Sequence, residues 1–194
     1  MISVDNVTKC FGERRVLDGF SLNVAEGERV CLSGPSGCGK TTLMRLIAGL
    51  ERSDSGEIIM PQEARLSVVF QENRLLPWYT ALENITAVGV ERECALEWLR
   101  KVGLAGEHDK LPSELSGGMS RRVAIARAMA SGGDIFLLDE PVQGLDDGTA
   151  DMVLGVLSES LADKTVIMIS HDRTEIEKLA QRVIVLDGPP LRKK

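Results

Sequence analysis

Apolar and polar residues alternate from Ile2 to Phe11 and again from Val16 to Val24, a period of two that predicts two strands joined at Gly12-Glu13. Gly27 turns the chain into a third strand, Arg29–Leu32. A glycine-rich turn at 34–39 leads to a helical pattern over Thr41–Leu50, then a short strand, Glu57–Met60, stopped by Pro61, and a buried strand, Ser67–Phe70. The period changes in the middle of the chain. Thr80-x-x-Glu83 forms a capping box that opens a helix, and Glu91–Val102 repeats apolar residues at helical spacing as far as Gly103. From there strands and helices alternate: helix Gly118–Ala130, strand Ile135–Leu138, a helix from about Thr149 to Leu161, strand Val166–Ile169, helix Thr174–Ala180 and strand Val183–Leu186. Such alternation predicts an α/β fold with a mainly parallel sheet covered by helices and an antiparallel β portion at the N-terminus. Residues 73–116 read as a helical insertion in a single domain, 1–194, whose core is formed by about 1–72 and 117–194. The basic end, Arg192-Lys193-Lys194, reads as a frayed tail.

Composition narrows this picture. The 194 residues suit one domain, and 43% hydrophobic content is ample for its core. A net charge of −6 argues against an electrostatic grip on nucleic acid. No stretch approaches the roughly 20 apolar residues that cross a bilayer, and the first residues lack a signal-peptide pattern, so a cytoplasmic protein is expected. Cys10, Cys31, Cys38 and Cys94 form no CxxC pair and read as reduced, small apolar residues.

Three segments carry chemistry. Gly34-Pro35-Ser36-Gly37-Cys38-Gly39-Lys40-Thr41 fits G-x-x-x-x-G-K-[ST] between a buried strand and a helix, the context a phosphate-binding loop requires. A chance match is expected in under about 1 in 100 chains of this length, which sets aside an accidental glycine-rich turn. Here glycines let backbone N–H groups turn inward around phosphate oxygens, Lys40 reaches the β/γ-phosphates, and the Thr41 hydroxyl can ligate Mg²⁺. Strand Ile135–Leu138 ends in Asp139-Glu140, at the carboxyl end where open α/β sheets bind ligands. Asp139 is placed to hold Mg²⁺, and Glu140 to orient or deprotonate the attacking water; alone, the pair would read as a solvated strand end. Ser116-Gly117-Gly118, a cap serine and two glycines, starts a helix with N–H groups again exposed to an anion. One nucleotide needs one main cradle, so this second one suggests a head-to-tail dimer closed by ATP; the plainer reading is an ordinary capped helix.

Together these segments resemble the nucleotide-binding subunits of ABC transporters, over nearly the whole chain and in the family's order. Gly34 to Thr41 is similar to the Walker A motif, Val69-Phe70-Gln71 to the Q-loop, Leu115 to Met119 to the LSGGQ signature, Asp139-Glu140 to Walker B, Leu145-Asp146 to the D-loop and His171 to the switch histidine. The resemblance implies a P-loop NTPase that binds ATP and Mg²⁺ and hydrolyses ATP. It places Gly34, Pro35, Ser36, Gly37, Cys38, Gly39, Lys40, Thr41 and Thr42 around the phosphates, with Phe11 stacked on adenine. Thr41, Gln71 and Asp139 serve the metal; Glu140, His171, Gln71 and Lys40 act in hydrolysis; Ser116, Gly117 and Gly118 reach the γ-phosphate across the dimer. Two positions depart from the pattern: Met119 replaces the signature's terminal glutamine, and Arg121 stands where a second glutamine is usual. Arg121-Arg122 also reads as a solvated helix face and His108 as a solvated loop residue.

The stretch Phe70 to Trp78 resembles the corresponding segment of importer ATPases of the nitrate, sulfonate and taurine type. Leu75, Leu76 and Trp78 form an apolar cluster beyond the Q-loop that suits a partner, as Gln71 does; otherwise they pack the helical insertion. The resemblance implies a homodimer bound to membrane permease subunits on the cytoplasmic face of the membrane, with a solute-binding protein in the complex. An exporter ATPase and a soluble non-transport ABC ATPase are the alternatives.

Overall fold

The computed structural model, which describes Met1–Lys194, builds two sheets from the expected strands and one more. The alternating N-terminal segments are β1 (Ile2–Phe11) and β2 (Arg14–Val24), antiparallel, with β4 (Ser55–Ile59) on the far edge of β1. β2 begins at Arg14, before its apolar pattern does, because Phe11 and Arg14 pair directly across the turn.

The second sheet has the order β5-β6-β7-β3-β8-β9. Its strands are β3 (Arg29–Ser33), β5 (Leu66–Val69), β6 (Ile135–Asp139), β7 (Thr165–Ile169), β8 (Arg182–Asp187) and β9 (Arg192–Lys193), all parallel except β9. Every residue of β6 and β7 is buried, because both faces of a parallel sheet are covered. Successive side chains serve different cores. Ile135 and Leu137 join Leu43 and Ile47 of α1 (Lys40–Ile47) and the inner face of the antiparallel sheet. Phe136 and Leu138 pack with α4 (Gly117–Ala130), α5 (Asp147–Ser160) and α6 (Arg173–Leu179). Burying each such side chain contributes about 1.5–3 kcal/mol relative to leaving it in water.

Residues 81–114 supply α2 (Ala81–Thr86), α3 (Arg92–Lys101) and a single 3-10 turn, Pro112–Glu114. The capping box forms: the Thr80 hydroxyl accepts from Glu83 N–H at 3.2 Å, and the Glu83 carboxylate accepts from Thr80 N–H at 2.7 Å. Both helices pack on α4 through Ile85, Leu99 and Val123. α1 stops at Ile47, short of the expected Leu50, as Gly49 enters the left-handed region at φ 69°. α5 starts earlier than its apolar pattern, with Asp146 accepting from Thr149 N–H at 3.0 Å.

The chain end is not a frayed tail. Arg192 and Lys193 pair antiparallel with β8, Arg192 and Lys194 lie 3.7 and 3.8 Å from the Asp187 carboxylate, and buried Leu191 donates its N–H to Val16 O at 2.8 Å. Charge in the last three residues hid a strand that a single apolar residue, Leu191, anchors. Cys31 and Cys38 are buried and Cys10 half-buried as small apolar residues, but Cys94 is exposed on α3.

Candidate active site

β3, β6 and β7 are neighbours, and their carboxyl ends open at one edge of the sheet. The loop after β3 wraps tightly there. Gly39, at φ 117°, holds a conformation that side chains rarely adopt, and a Cβ at Gly34 would overlap the Leu186 carbonyl of β8. Lys40 folds back over this loop, its ammonium donating to Gly34 O at 2.7 Å and Pro35 O at 2.9 Å. Ser36, Gly37, Gly39, Lys40, Thr41 and Thr42 line an open cleft of about 480 Å³. Phe11, Gln71, Asp139 and Glu140 line it as well. Gly34, Pro35 and His171 line an adjoining hollow of about 240 Å³ that shares Ser36, Lys40 and Glu140 with the first. Cys38 has its side chain fully buried in the core, its Sγ 3.8 Å from the Lys40 ammonium, and offers the loop its backbone N–H.

The Thr41 hydroxyl donates to Asp139 Oδ2 at 3.2 Å. Burial pushes the Asp139 carboxyl up, and the Thr41 bond offsets part of that. A hydroxyl and a buried carboxylate meeting at a phosphate loop form the hard oxygen pair that suits Mg²⁺, so these residues fit the ion. Glu140 takes the left-handed conformation at φ 48°, unusual for a residue with a side chain and unfavourable by about 1–2 kcal/mol. Its N–H donates to Ile169 O at 2.9 Å, Oε1 lies 3.2 Å from His171 Nδ1, and Oε2 is shielded with no protein partner.

Ser116 caps α4, its hydroxyl accepting from Met119 N–H at 3.1 Å. Neither Ser116 nor Gly117 nor Gly118 lines the cleft of its own chain. Phe11 is exposed at the cleft rim, with the Lys9 ammonium 5.1 Å from its ring. The apolar surface beyond Gln71 is also composed differently from expectation: Leu75 packs against the core, while Leu76, Trp78 and Tyr79 are exposed. Fully buried Asn84 fastens that loop, accepting from Leu76 N–H at 2.7 Å and donating to the Leu76, Tyr79 and Thr80 carbonyls. His108 keeps a half-exposed ring 3.1 Å from Asp109.

Several residues of the site escape sequence reasoning. Arg14 and Val16 line the cleft beside Phe11, and position on the turn after an aromatic is their only signal. Arg121 is not on a solvated face; it is 3% exposed, and burial pulls its guanidinium down from the usual range. Its neighbour Arg122 is half-buried and donates to the carbonyls that end α3, Val102 and Gly103, at 3.1 and 3.0 Å. The spacing Arg121, Ala124, Ile125, Ala128, an arginine inside an apolar stripe, was the available clue. Glu175, also 3% exposed, accepts a hydrogen bond from the Ser170 hydroxyl; burial pushes its carboxyl up to about 7, with Asp172 and Glu140 adding to the rise.

A family profile described as ABC transporter matches residues 17–143. An aliphatic sulfonates import ATP-binding protein of Paraburkholderia xenovorans (strain LB400) is 44% identical over 192 residues, covering 95% of this chain and 76% of that protein. An uncharacterized ABC transporter ATP-binding protein of Methanocaldococcus jannaschii is 39% identical, covering 98% of this chain and 79% of its own length. Among solved structures, the ATP-binding cassette MJ0796, a dimer in a post-hydrolysis state with ADP and Pi, superposes with a TM-score of 0.89 at 32% identity over 100% of this chain and 98% of that one. The matched segment contains the phosphate loop, the Thr41–Asp139 pair and Glu140, and on that ground the chain belongs to the ABC transporter family.

Proposed function

We propose that this chain is the ATP-hydrolysing subunit of a membrane importer for a small anionic or organic solute, with the aliphatic sulfonates of its relatives as the first candidates. The observation that carries the reading is convergence at the ends of three adjacent strands. A phosphate loop, a hydroxyl–carboxylate pair and a glutamate facing a histidine meet in one cleft. Lys40 exchanges its two loop carbonyls for the β- and γ-phosphates, and Phe11 offers its exposed ring to adenine. Thr41 and Asp139, with Gln71 at the cleft wall, would hold Mg²⁺, which supplies charge neutralisation at the phosphate oxygens. Glu140 takes a proton from water as its oxygen attacks the γ-phosphorus and the bond to the β-phosphate oxygen breaks. His171 Nδ1 steadies Glu140 and the ring polarises the departing phosphoryl group.

Ser116, Gly117 and Gly118 do not reach their own cleft, so they complete the site of a second copy, giving two composite sites per dimer. The dimeric cassette among the solved relatives supports this arrangement. Residues 73–116, with α2, α3 and the exposed Leu76 and Trp78, act as the insertion that meets a permease, and Gln71 relays the state of the cleft to it. The subunit then sits on the cytoplasmic face of the membrane through that permease, with a solute-binding protein completing the complex. No helix of this chain is long and apolar enough to cross a membrane.

Solution mass by light scattering tests the reading on Glu140→Gln, a variant that keeps the shape of the site but cannot accept the proton. A monomer that doubles in mass only with MgATP is expected. A monomer that binds ATP without doubling would remove Ser116 and its glycines from any second site in the isolated subunit.

A further inference from the structure

The left-handed turn at Glu140 brings three successive carbonyls, of Asp139, Glu140 and Pro141, onto one buried guanidinium. Arg121 Nη2 donates to Asp139 O at 2.8 Å and Glu140 O at 2.6 Å, and Nε donates to Pro141 O at 2.7 Å. The other arm, Nη1, turns to the segment after β5. There it donates to Phe70 O, to Gln71 O at 3.2 Å and to Asn73 Oδ1 at 3.4 Å. All five N–H groups are used, and no carboxylate is among the acceptors. Farther along the same helix, Arg127 donates to Asn73 O at 3.0 Å and Arg74 O at 2.9 Å, so α4 grips this segment twice.

We infer that Arg121 is a positioning residue for hydrolysis, one rigid fork that fixes the backbone of Glu140 and binds it to the backbone of Gln71. The inference rests on the proposed roles of those two residues and goes beyond them. Glu140 is held at its N–H by Ile169, at its carboxylate by His171, and at its carbonyl by Arg121 and by the Gln143 N–H at 3.1 Å. Of these holds, only Arg121 also reaches Gln71, so a displacement of the Gln71 backbone is carried through the planar guanidinium to Glu140. The family pattern expects glutamine here, whose single NH₂ offers two donors from one point and cannot span both segments. Asp139, Glu175 and Glu140 lie near the guanidinium without touching it and offset part of the burial that pulls it down.

Arg121→Lys tests this, since it keeps charge and approximate length but replaces the fork with one point donor. Steady-state hydrolysis should show kcat lower by about ten- to hundredfold with KM within about threefold, as expected for a reacting group misplaced by a fraction of an ångström. Binding of a fluorescent ATP analogue should stay near that of the wild type, while the melting temperature falls because buried carbonyls lose their donors, with the variant still folded at the assay temperature. Arg121→Gln, which installs the residue the family pattern expects, serves as a second variant should the lysine variant fail to fold, with the same split between kcat and KM expected. Unchanged kcat in the folded variants overturns the inference. So does a fall in ATP affinity parallel to that in kcat, because the whole site is then distorted and the role is structural. Glu140→Gln run alongside separates the two levels. If it hydrolyses ATP at the wild-type rate, the role given to Glu140 fails; if it is inactive while Arg121→Lys turns over normally, only the role of Arg121 fails.

Discussion

Glu175 shows how one buried carboxyl ties stability to pH. Its folded pKa is raised from 4.5 to about 7, chiefly by burial, so the folded chain holds a proton that the unfolded chain releases. Stability therefore falls as pH rises from about 4.5 through about 7, and the full penalty stands above that. Glu175→Gln has no such proton to lose. Denaturant unfolding should show the variant gaining on the wild type across this window, by at most about 3 kcal/mol, with no further gain above pH 8; a pH-independent difference would place the proton elsewhere. At this scale the sequence was legible where a motif fixes both residue type and spacing. Lys40, Thr41, Asp139 and Glu140 stand together as read, and His171 faces Glu140. It was not legible where a charged residue is buried by partners distant in the chain. Arg121 lies 48 to 51 positions from its acceptors after β5, and Glu175 draws its shift from desolvation that no local pattern encodes.

Among the elements, α2 is short and gains its place from Asn84. Four hydrogen bonds from that one side chain hold residues 76–80 as a defined loop and present Trp78, 85% exposed, to solvent. Asn84→Ala leaves the Tyr79 carbonyl and the Leu76 N–H without a partner, and the Leu76 and Thr80 carbonyls with only a backbone N–H each, and should cost about 2–3 kcal/mol by chemical denaturation. Limited proteolysis should then cut first between residues 75 and 80. Loss of stability with cleavage elsewhere would mean that the loop is held by its own packing. Element types followed the pattern of apolar positions closely; their ends did not. Helix starts were readable where a cap announces itself, as at Thr80, and were missed at Asp146, where an aspartate pair resembles loop. The last strand escaped because its residues are charged and it is held by Asp187 and by the backbone of β8.

For the whole molecule, the sheet separates two cores that share strands but few side chains. One supports the phosphate loop and the antiparallel sheet that carries Phe11; the other supports α4 and the loops around Gln71 and Trp78. Glu140 and Arg121 sit where these halves meet, at the strand ends beside the phosphate loop. The terminal strand has its own bearing on this. Leu191 is sewn to Val16, and the Leu191 and Val16 side chains flank Gly39 at the base of the phosphate loop. Nucleotide binding that shifts the phosphate loop should therefore reach the last residues. A small fluorophore at a cysteine placed at Lys193, exposed and two residues beyond Leu191, should change intensity on ATP binding although it lies outside the cleft. A signal indifferent to ATP would show that the loop rearranges without straining the strand. The final residues would then be a brace that nucleotide never reaches, and a safe place to tether the protein to a surface while it works.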